Sequence, residues 1–188
     1  MAGELRVRCY SMQLSRPVIA RAAVEILNSY GLADVSMRRV AASLGVAPGA
    51  LYWHIDSKQA LIAAMADEIV APVLISPHPG PKEFCAALRE ALLSHIDGAD
   101  VVSTAASQAD SPVFPALLDG IRASFDGDPP ESAAAGLLYL TLGATSLHQA
   151  GTQLREITTG EKQVLYGSAE QVDAAVDLLL AGLDADPH

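Results

Sequence analysis

SMRRVAASLGVAPGALYWHIDSK, residues 36–58, reads as two short helices around a glycine. Val40, Ala41 and Leu44 recur at helical spacing on the first segment, and Leu51 takes the inward position on the second. Ser36 is placed to cap the first helix, and Gly45 suits a turn position needing positive φ. Pro48 fits a helix start, where its missing N–H would have had no intrahelical partner. The spacing predicts a helix-turn-helix. Its second helix offers solvent an unusual set: Gly49 and Ala50 permit close backbone approach, and Tyr52, Trp53, His54 and Lys58 follow with bulk, a hydroxyl, a ring nitrogen and charge. Contact with duplex DNA is the expectation. On pattern alone the competing reading makes Trp53 the core anchor of a small helical bundle.

The residues around this stretch sharpen the choice. A first helix ends in Tyr30-Gly31-Leu32, the turn motif runs from Ser36 to Val46, and Leu51-Tyr52-Trp53-His54 is followed by Ser57-Lys58-Gln59-Ala60-Leu61. From Leu14 to about Val70 the chain thereby resembles the N-terminal DNA-binding domain of the tetracycline-repressor (TetR) family, closest in its Leu-Tyr-Trp-His ending to the tetracycline-repressor branch. The resemblance implies an all-α protein, with an N-terminal three-helix DNA-binding domain joined to a helical ligand-binding and dimerisation domain. The expected division is a flexible arm over 1–14, the helix-turn-helix domain over 15–56, a connecting helix over 57–74 and the effector-binding and dimerisation domain over 75–188. The implied function is a homodimeric transcriptional repressor that binds a palindromic operator and is released by a small effector, which the many apolar walls and few isolated polar groups of residues 82–150 lead us to expect to be apolar or aromatic.

A chain of 188 residues with 51% apolar and 18% charged residues is long enough to bury a sizeable core. No run approaches the roughly 18 apolar residues of a membrane span, and the first residues lack the basic-then-apolar order of a signal peptide. A cytoplasmic location with no membrane partner is expected. Cys9 and Cys85 have no metal-ligand spacing; Cys85 reads as a core thiol and Cys9 as a free thiol in the arm. The net charge of -10 divides unevenly. Residues 1–58 carry seven Lys/Arg against four Asp/Glu, whereas residues 71–188 carry five against sixteen. The positive groups sit where phosphate contacts would be made, and the acidic remainder would point away from DNA.

Along the chain, Ser15 and Pro17 mark a helix start, and Ile19, Ala22, Ala23, Ile26, Leu27 and Tyr30 follow one stripe until Gly31. Ser57 opens the next helix, expected to end before Pro72. Ile75 to Pro81 reads as a linker, followed by an amphipathic helix over Phe84 to His95, a break at Gly98 and a short small-residue segment over Asp100 to Ser107. A helix starts at Asp110-Ser111-Pro112, and Asp126 to Ser132 reads as a loop. Two later helices, Glu131 to about Leu154 and Ala169 to Leu183, carry small residues and an apolar face respectively. They are the expected homodimer interface, in keeping with the four-helix bundle that the resemblance implies. Arg155 to Gly167 between them is expected to be a loop over a pocket mouth.

For DNA binding the candidates are Arg38, Pro48, Gly49, Ala50, Tyr52, Trp53, His54 and Lys58. Arg38 is placed for a guanine edge or a phosphate, and Ala50 for a thymine methyl. Tyr52, His54 and Lys58 are expected on phosphates, with Trp53 a partly buried wedge against the DNA backbone. Pro48, Gly49 and Ala50 replace the base-reading residues of the tetracycline repressor, so its operator does not carry over. The effector candidates are polar or aromatic side chains within apolar segments: Phe84, His95, Ser103, Gln108, Phe114, Tyr139, His148 and Gln149, with Thr104 and Tyr166 beside them. The tetracycline repressor holds its drug with magnesium through a histidine whose place is taken here by Val102, which cannot ligate a metal. No metal and no cofactor are therefore expected, and a tetracycline-magnesium response is the lesser variant.

No nucleophile and base at defined spacing, metal cluster or phosphate-cradling glycine loop is present, so an enzyme is not expected. The alternative is a helical structural or protein-interaction module, which would give no reason for the positive balance of residues 1–58.

Overall fold

The computed structural model describes residues 13–161 and 166–185. Among these the chain forms only helices and their connections: α1 (Arg16–Tyr30), a 3-10 turn (Leu32–Asp34), α2 (Met37–Ser43), α3 (Pro48–Leu51), α4 (Lys58–Ile75), α5 (Pro81–Leu93), α6 (Gly98–Ala106), α7 (Val113–Ala123), α8 (Glu131–Thr159) and α9 (Ala169–Ala185). The all-α expectation holds. The expected arm, with Arg6, Arg8 and Cys9, lies almost wholly outside the described residues.

The local signals at the N-terminal end act as their chemistry requires. Ser36 Oγ accepts from the Arg39 N–H at 3.2 Å and Ser57 Oγ from the Ala60 N–H at 3.0 Å, each satisfying an orphan donor at a helix start. Gly45 has φ +67, the left-handed turn that ends α2, and Pro48 opens α3.

Helix α4 is the spine. It packs against α1 on one side and α6 on another, with α5 and α7 also touching it. Leu61, Ile62, Met65, Ile69, Val70 and Val73 are buried along it. Because α4 is buried from several directions, the buried side chains from Ile19 to Val176 form one continuous cluster. At about 1.5 Å per residue, α4 spans roughly 27 Å.

Pro72 does not end this helix, contrary to the sequence expectation; α4 continues to Ile75 with Pro72 inside its last turn. Pro72 forfeits the one bond its N–H would have made to the Glu68 carbonyl, and burial of Val73 favours continuation. The Ser76 hydroxyl then donates to the Pro72 carbonyl at 2.7 Å. The linker is correspondingly short, Ser76 to Gly80.

Other boundaries move for similar reasons. Helix α5 begins at Pro81 and α6 at Gly98, so Gly98 opens a helix instead of lying between two. Helix α8 runs on to Thr159, making Arg155 to Thr159 helical where a loop was expected, and Gly160 at φ +73 ends it. Cys85 is buried, as expected of a core thiol. Tyr30 is not inward. It is 60% exposed, and the Arg39 guanidinium lies 4.0 Å above its ring centroid.

Candidate functional site

The second element of the helix-turn-helix buries two residues, half-buries Ala50 and exposes the others. Leu51 and Ile55, four apart, are fully enclosed, and the Ile55 N–H bonds back to the Leu51 carbonyl at 2.9 Å. That periodicity turns Pro48, Gly49, Tyr52, Trp53 and His54 outward. Trp53 is 88% exposed, which excludes the core anchor and leaves its ring free to meet an approaching backbone. Beyond its chain neighbours and own helix backbone, a Cβ built on Gly49 would meet no atom of the described residues within 4 Å, so the face beyond it is open to an approaching surface. Ala50 is half-buried, and Lys58 is exposed at the first turn of α4.

Adjacent arginines on α2 are used differently. Arg39 pairs with the Asp34 carboxylate and covers the Tyr30 ring. Arg38 is exposed and has neither tie, which leaves its planar fork available to an external partner. The sequence reading selected Arg38 and missed the anchoring part played by Arg39.

In the body, the eight effector candidates do not share one space. A cavity of about 560 Å³ is bounded by Asn28, His95, Ile96, His148, Gln149, Thr152 and Gln153 among others. A second, of about 420 Å³, is lined by Ser103, Ala106, Ser107, Phe114, Tyr139 and Leu142. Phe114 and Tyr139 stack along it with centroids 5.8 Å apart. Phe84 is a core residue, edge-on to His78 and packed so closely on Gly120 that a Cβ there would strike the ring. Gln108 keeps a buried Nε2 without a partner, while Thr104 and Tyr166 are exposed. Val102 is fully buried on α6. Among the described residues no group of three or more His, Cys, Asp or Glu side chains could hold a metal.

The larger cavity adjoins a polar joint between α1, the α5–α6 corner and α8. Asp97 stands at that corner in the left-handed region, φ 54, which an aspartate tolerates better than most residues. Its Oδ2 accepts from the Leu32 N–H at 2.7 Å and its Oδ1 from Gln153 Nε2 at 2.6 Å. Gln149 supplies the complementary bonds: its Oε1 accepts from the Ala99 N–H at 2.9 Å, and its Nε2 donates to the His95 carbonyl at 2.8 Å. The amide thus bridges the end of α5 and the start of α6. His95 Nδ1 lies 3.1 Å from Asn28 Nδ2 on α1, and burial lowers its pKa. Asn28, Asp97 and Gln153 were not among the sequence candidates. The Asp97-Gly98 pair, a turn-forming dipeptide before a helix, was the signal available for the corner.

Such an arrangement, a helix-turn-helix with a bare second element carried on a helical body, defines a DNA-binding regulator. Residues 19–65 match the family described as bacterial regulatory proteins, tetR family. The crystal structure of Mycobacterium smegmatis BioQ is 34% identical, covers 92% of this chain and 99% of that one, and superposes with a TM-score of 0.78. A structure of BioQ with its natural double-stranded DNA operator matches with 34% identity over 93% of this chain and 100% of that one, at a TM-score of 0.74. The tetracycline repressor protein class A from transposon 1721 of Escherichia coli is 29% identical over 185 residues, covering 92% of this chain and 81% of that protein. The chain belongs to the tetR family of bacterial transcriptional regulators, with a DNA-binding helix-turn-helix at its N-terminal end.

Proposed function

We propose that the protein is a homodimeric, ligand-responsive repressor that binds a near-palindromic operator through residues 36–58 and leaves it when a small effector occupies the body. The observation that carries the DNA reading is the outward face of the second helix-turn-helix element, with Trp53, Tyr52 and His54 exposed around an open Gly49. The similarity to BioQ, which has been seen on its own operator, supports it. Arg38 is assigned to a base edge or phosphate, Pro48, Gly49 and Ala50 to the groove floor, and Tyr52, Trp53, His54 and Lys58 to the flanking backbone. Residues 15–56 act as the reading head, α4 as the connection and residues beyond Ile75 as the body.

A seam on α8 supports the homodimer. Gly136, Leu140, Gly143, Leu147, Ala150 and Leu154 alternate at spacings of four and three, the pattern of helices packed nearly in parallel. Leu147 and Leu154 are more than 60% exposed, and beyond its chain neighbours and own helix backbone a Cβ built on Gly136 or Gly143 meets no atom of the described residues within 4 Å. Ile157 and Leu178 extend the exposed apolar surface along α8 and onto α9. A second copy seated there would place two reading heads on one face of DNA, roughly 35 Å apart.

The larger cavity is the effector site best placed to act, because Asn28 of α1 and the α5–α6 corner both border it. A ligand there touches the head and the body together. It shifts the equilibrium only by its preference for one arrangement over the other, and a 100-fold change in operator affinity corresponds to about 2.7 kcal/mol. No metal is assigned to the site. Selection of duplexes from a random library, followed by titration of the selected complex with small molecules in the presence and absence of EDTA, tests the proposal. Recovery of a palindrome and metal-independent release are expected. Recovery of no preferred sequence would refute the operator reading, and release only with a divalent ion would refute the metal-free pocket.

A further inference from the structure

What the larger cavity offers a ligand is set by the bonds its walls already make. Its described lining residues include no Asp, Glu, Lys or Arg, so an ion there would meet no counter-charge. Burial lowers the pKa of His95 at the α5 end, which favours the neutral ring, and Leu93 and Ile96 supply apolar surface.

Most polar side chains in these walls have their protons committed. Gln149 Nε2 donates to the His95 carbonyl at 2.8 Å and lies 3.3 Å from the Leu92 carbonyl, while its oxygen takes the Ala99 N–H. The Ser94 hydroxyl donates to the Ala91 carbonyl at 2.7 Å. Gln153 Nε2 donates to Asp97 Oδ1 at 2.6 Å. A carboxylate only accepts, so this bond fixes which end of the amide is nitrogen and leaves Oε1 as the other. His148 Nδ1 lies 3.0 Å from the Gly167 carbonyl oxygen. Two lone pairs at that distance would repel, so Nδ1 carries the proton and Nε2 keeps its lone pair.

Two acceptors are therefore left over, Gln153 Oε1 and His148 Nε2. Neither has a hydrogen-bond partner among the described residues, neither is enclosed, and both residues line the cavity. We infer that the larger cavity selects an uncharged effector with an apolar body whose O–H or N–H groups donate to His148 Nε2 and Gln153 Oε1. The two residues stand five apart on α8, about 7.5 Å along its axis, so a molecule that serves both carries two donors set apart on one body. A carboxylate would face lone pairs at both. The inference rests on the ligand-responsive reading above and names the class of ligand. The competing account leaves both acceptors to water.

The test uses the full chain and pairs of compounds matched in shape but differing in their donors: 4-propylphenol against 4-propylanisole, 4-(2-hydroxyethyl)phenol against its dimethyl ether, and indole against 1-methylindole, with 4-propylbenzoate as the anion. Calorimetry and thermal shift are the readouts. At least one donor compound is expected to bind roughly tenfold or more tightly than its methylated counterpart and to raise the melting temperature, with 4-propylbenzoate weaker than 4-propylphenol. His148→Phe keeps a ring without Nε2, and Gln153→Met keeps length without Oε1; each should reduce the preference. Gln153→Met also gives up the bond to Asp97, so His148→Phe and the wild-type pairs decide the matter if that variant is unstable. No preference in any pair, tighter binding of 4-propylbenzoate than of 4-propylphenol, or a preference undiminished in His148→Phe would refute the inference. Operator binding separates this from the broader reading. A donor compound preferred through His148 without any change in operator affinity would overturn ligand release and leave the donor selection standing; release by methylated and donor compounds alike would do the reverse.

Discussion

The Leu32 N–H donates to Asp97 Oδ2 at 2.7 Å, tying the turn after α1 to the corner between α5 and α6. Gly31 makes the approach possible. It has φ +81, and a Cβ there would come within 3.1 Å of the same carboxylate oxygen. The other Asp97 oxygen takes Gln153 from α8, so one carboxylate links three parts of the molecule.

Asp97→Ala removes two charge-assisted bonds and leaves alanine in the left-handed region. A loss of about 2 kcal/mol in stability is expected. Asp97→Asn keeps one acceptor and tolerates the backbone, so it should lose distinctly less. Urea unfolding of both variants measures this, and equal losses would show that the second hydrogen bond and the charge carry the joint.

His95 lies beside Asn28 at the same joint, and burial lowers its pKa below the ordinary 6.5. The unfolded chain therefore takes up this proton at a higher pH than the folded chain. The stabilisation is fully present above about 6.5 and is lost as pH falls through the depressed folded value. Asp67 and Asp100 have the opposite sign: burial raises both from 3.8, and what they contribute is lost as pH rises through those raised values. Below about pH 6.5 the wild type should lose stability more steeply than His95→Gln. Parallel melting curves over that range would show that His95 is not the group responsible.

Arg38 and Arg39 should separate cleanly. Arg39→Ala gives up an exposed ion pair and a cation-π contact and should cost about 1 kcal/mol in stability. Arg38→Ala should leave stability within about 0.5 kcal/mol, yet lose about 1–3 kcal/mol of discrimination between operator and random duplex if it reads a base. Lys58→Ala should weaken both duplexes alike and reduce the salt slope by about one. Binding over a salt series with both duplexes is the measurement. Equal losses on both for Arg38→Ala would move it to the phosphate class.

Local signals were legible where one residue type answers one backbone need, as at the Ser36 and Ser57 caps and the Gly45 turn. The apolar stripes likewise gave the helices. Helix ends were less legible, because tertiary burial of Val73 carries α4 past Pro72 and propensity alone does not register it. The core-anchor alternative for Trp53 fails for a related reason: its exposure follows from Leu51 and Ile55 taking the inward positions. The effector candidates were chosen as isolated polar residues in apolar segments, but residues far apart in the chain divide them between two cavities. Gln149 spends its amide on backbone groups at the α5–α6 corner, and Gln153 was overlooked although it falls one turn further along α8.

The central claim is a dimer that reads DNA with two heads, and sedimentation of the chain with its selected duplex tests it most directly. At micromolar protein the wild type should sediment as two 19.6 kDa chains, both free and on one palindromic duplex. Leu147→Asp, which places a charge in the α8 seam, should give a single chain and lose operator binding. A wild-type mass of one chain in both conditions, or a Leu147→Asp monomer that binds the duplex as tightly as the wild type, would contradict it.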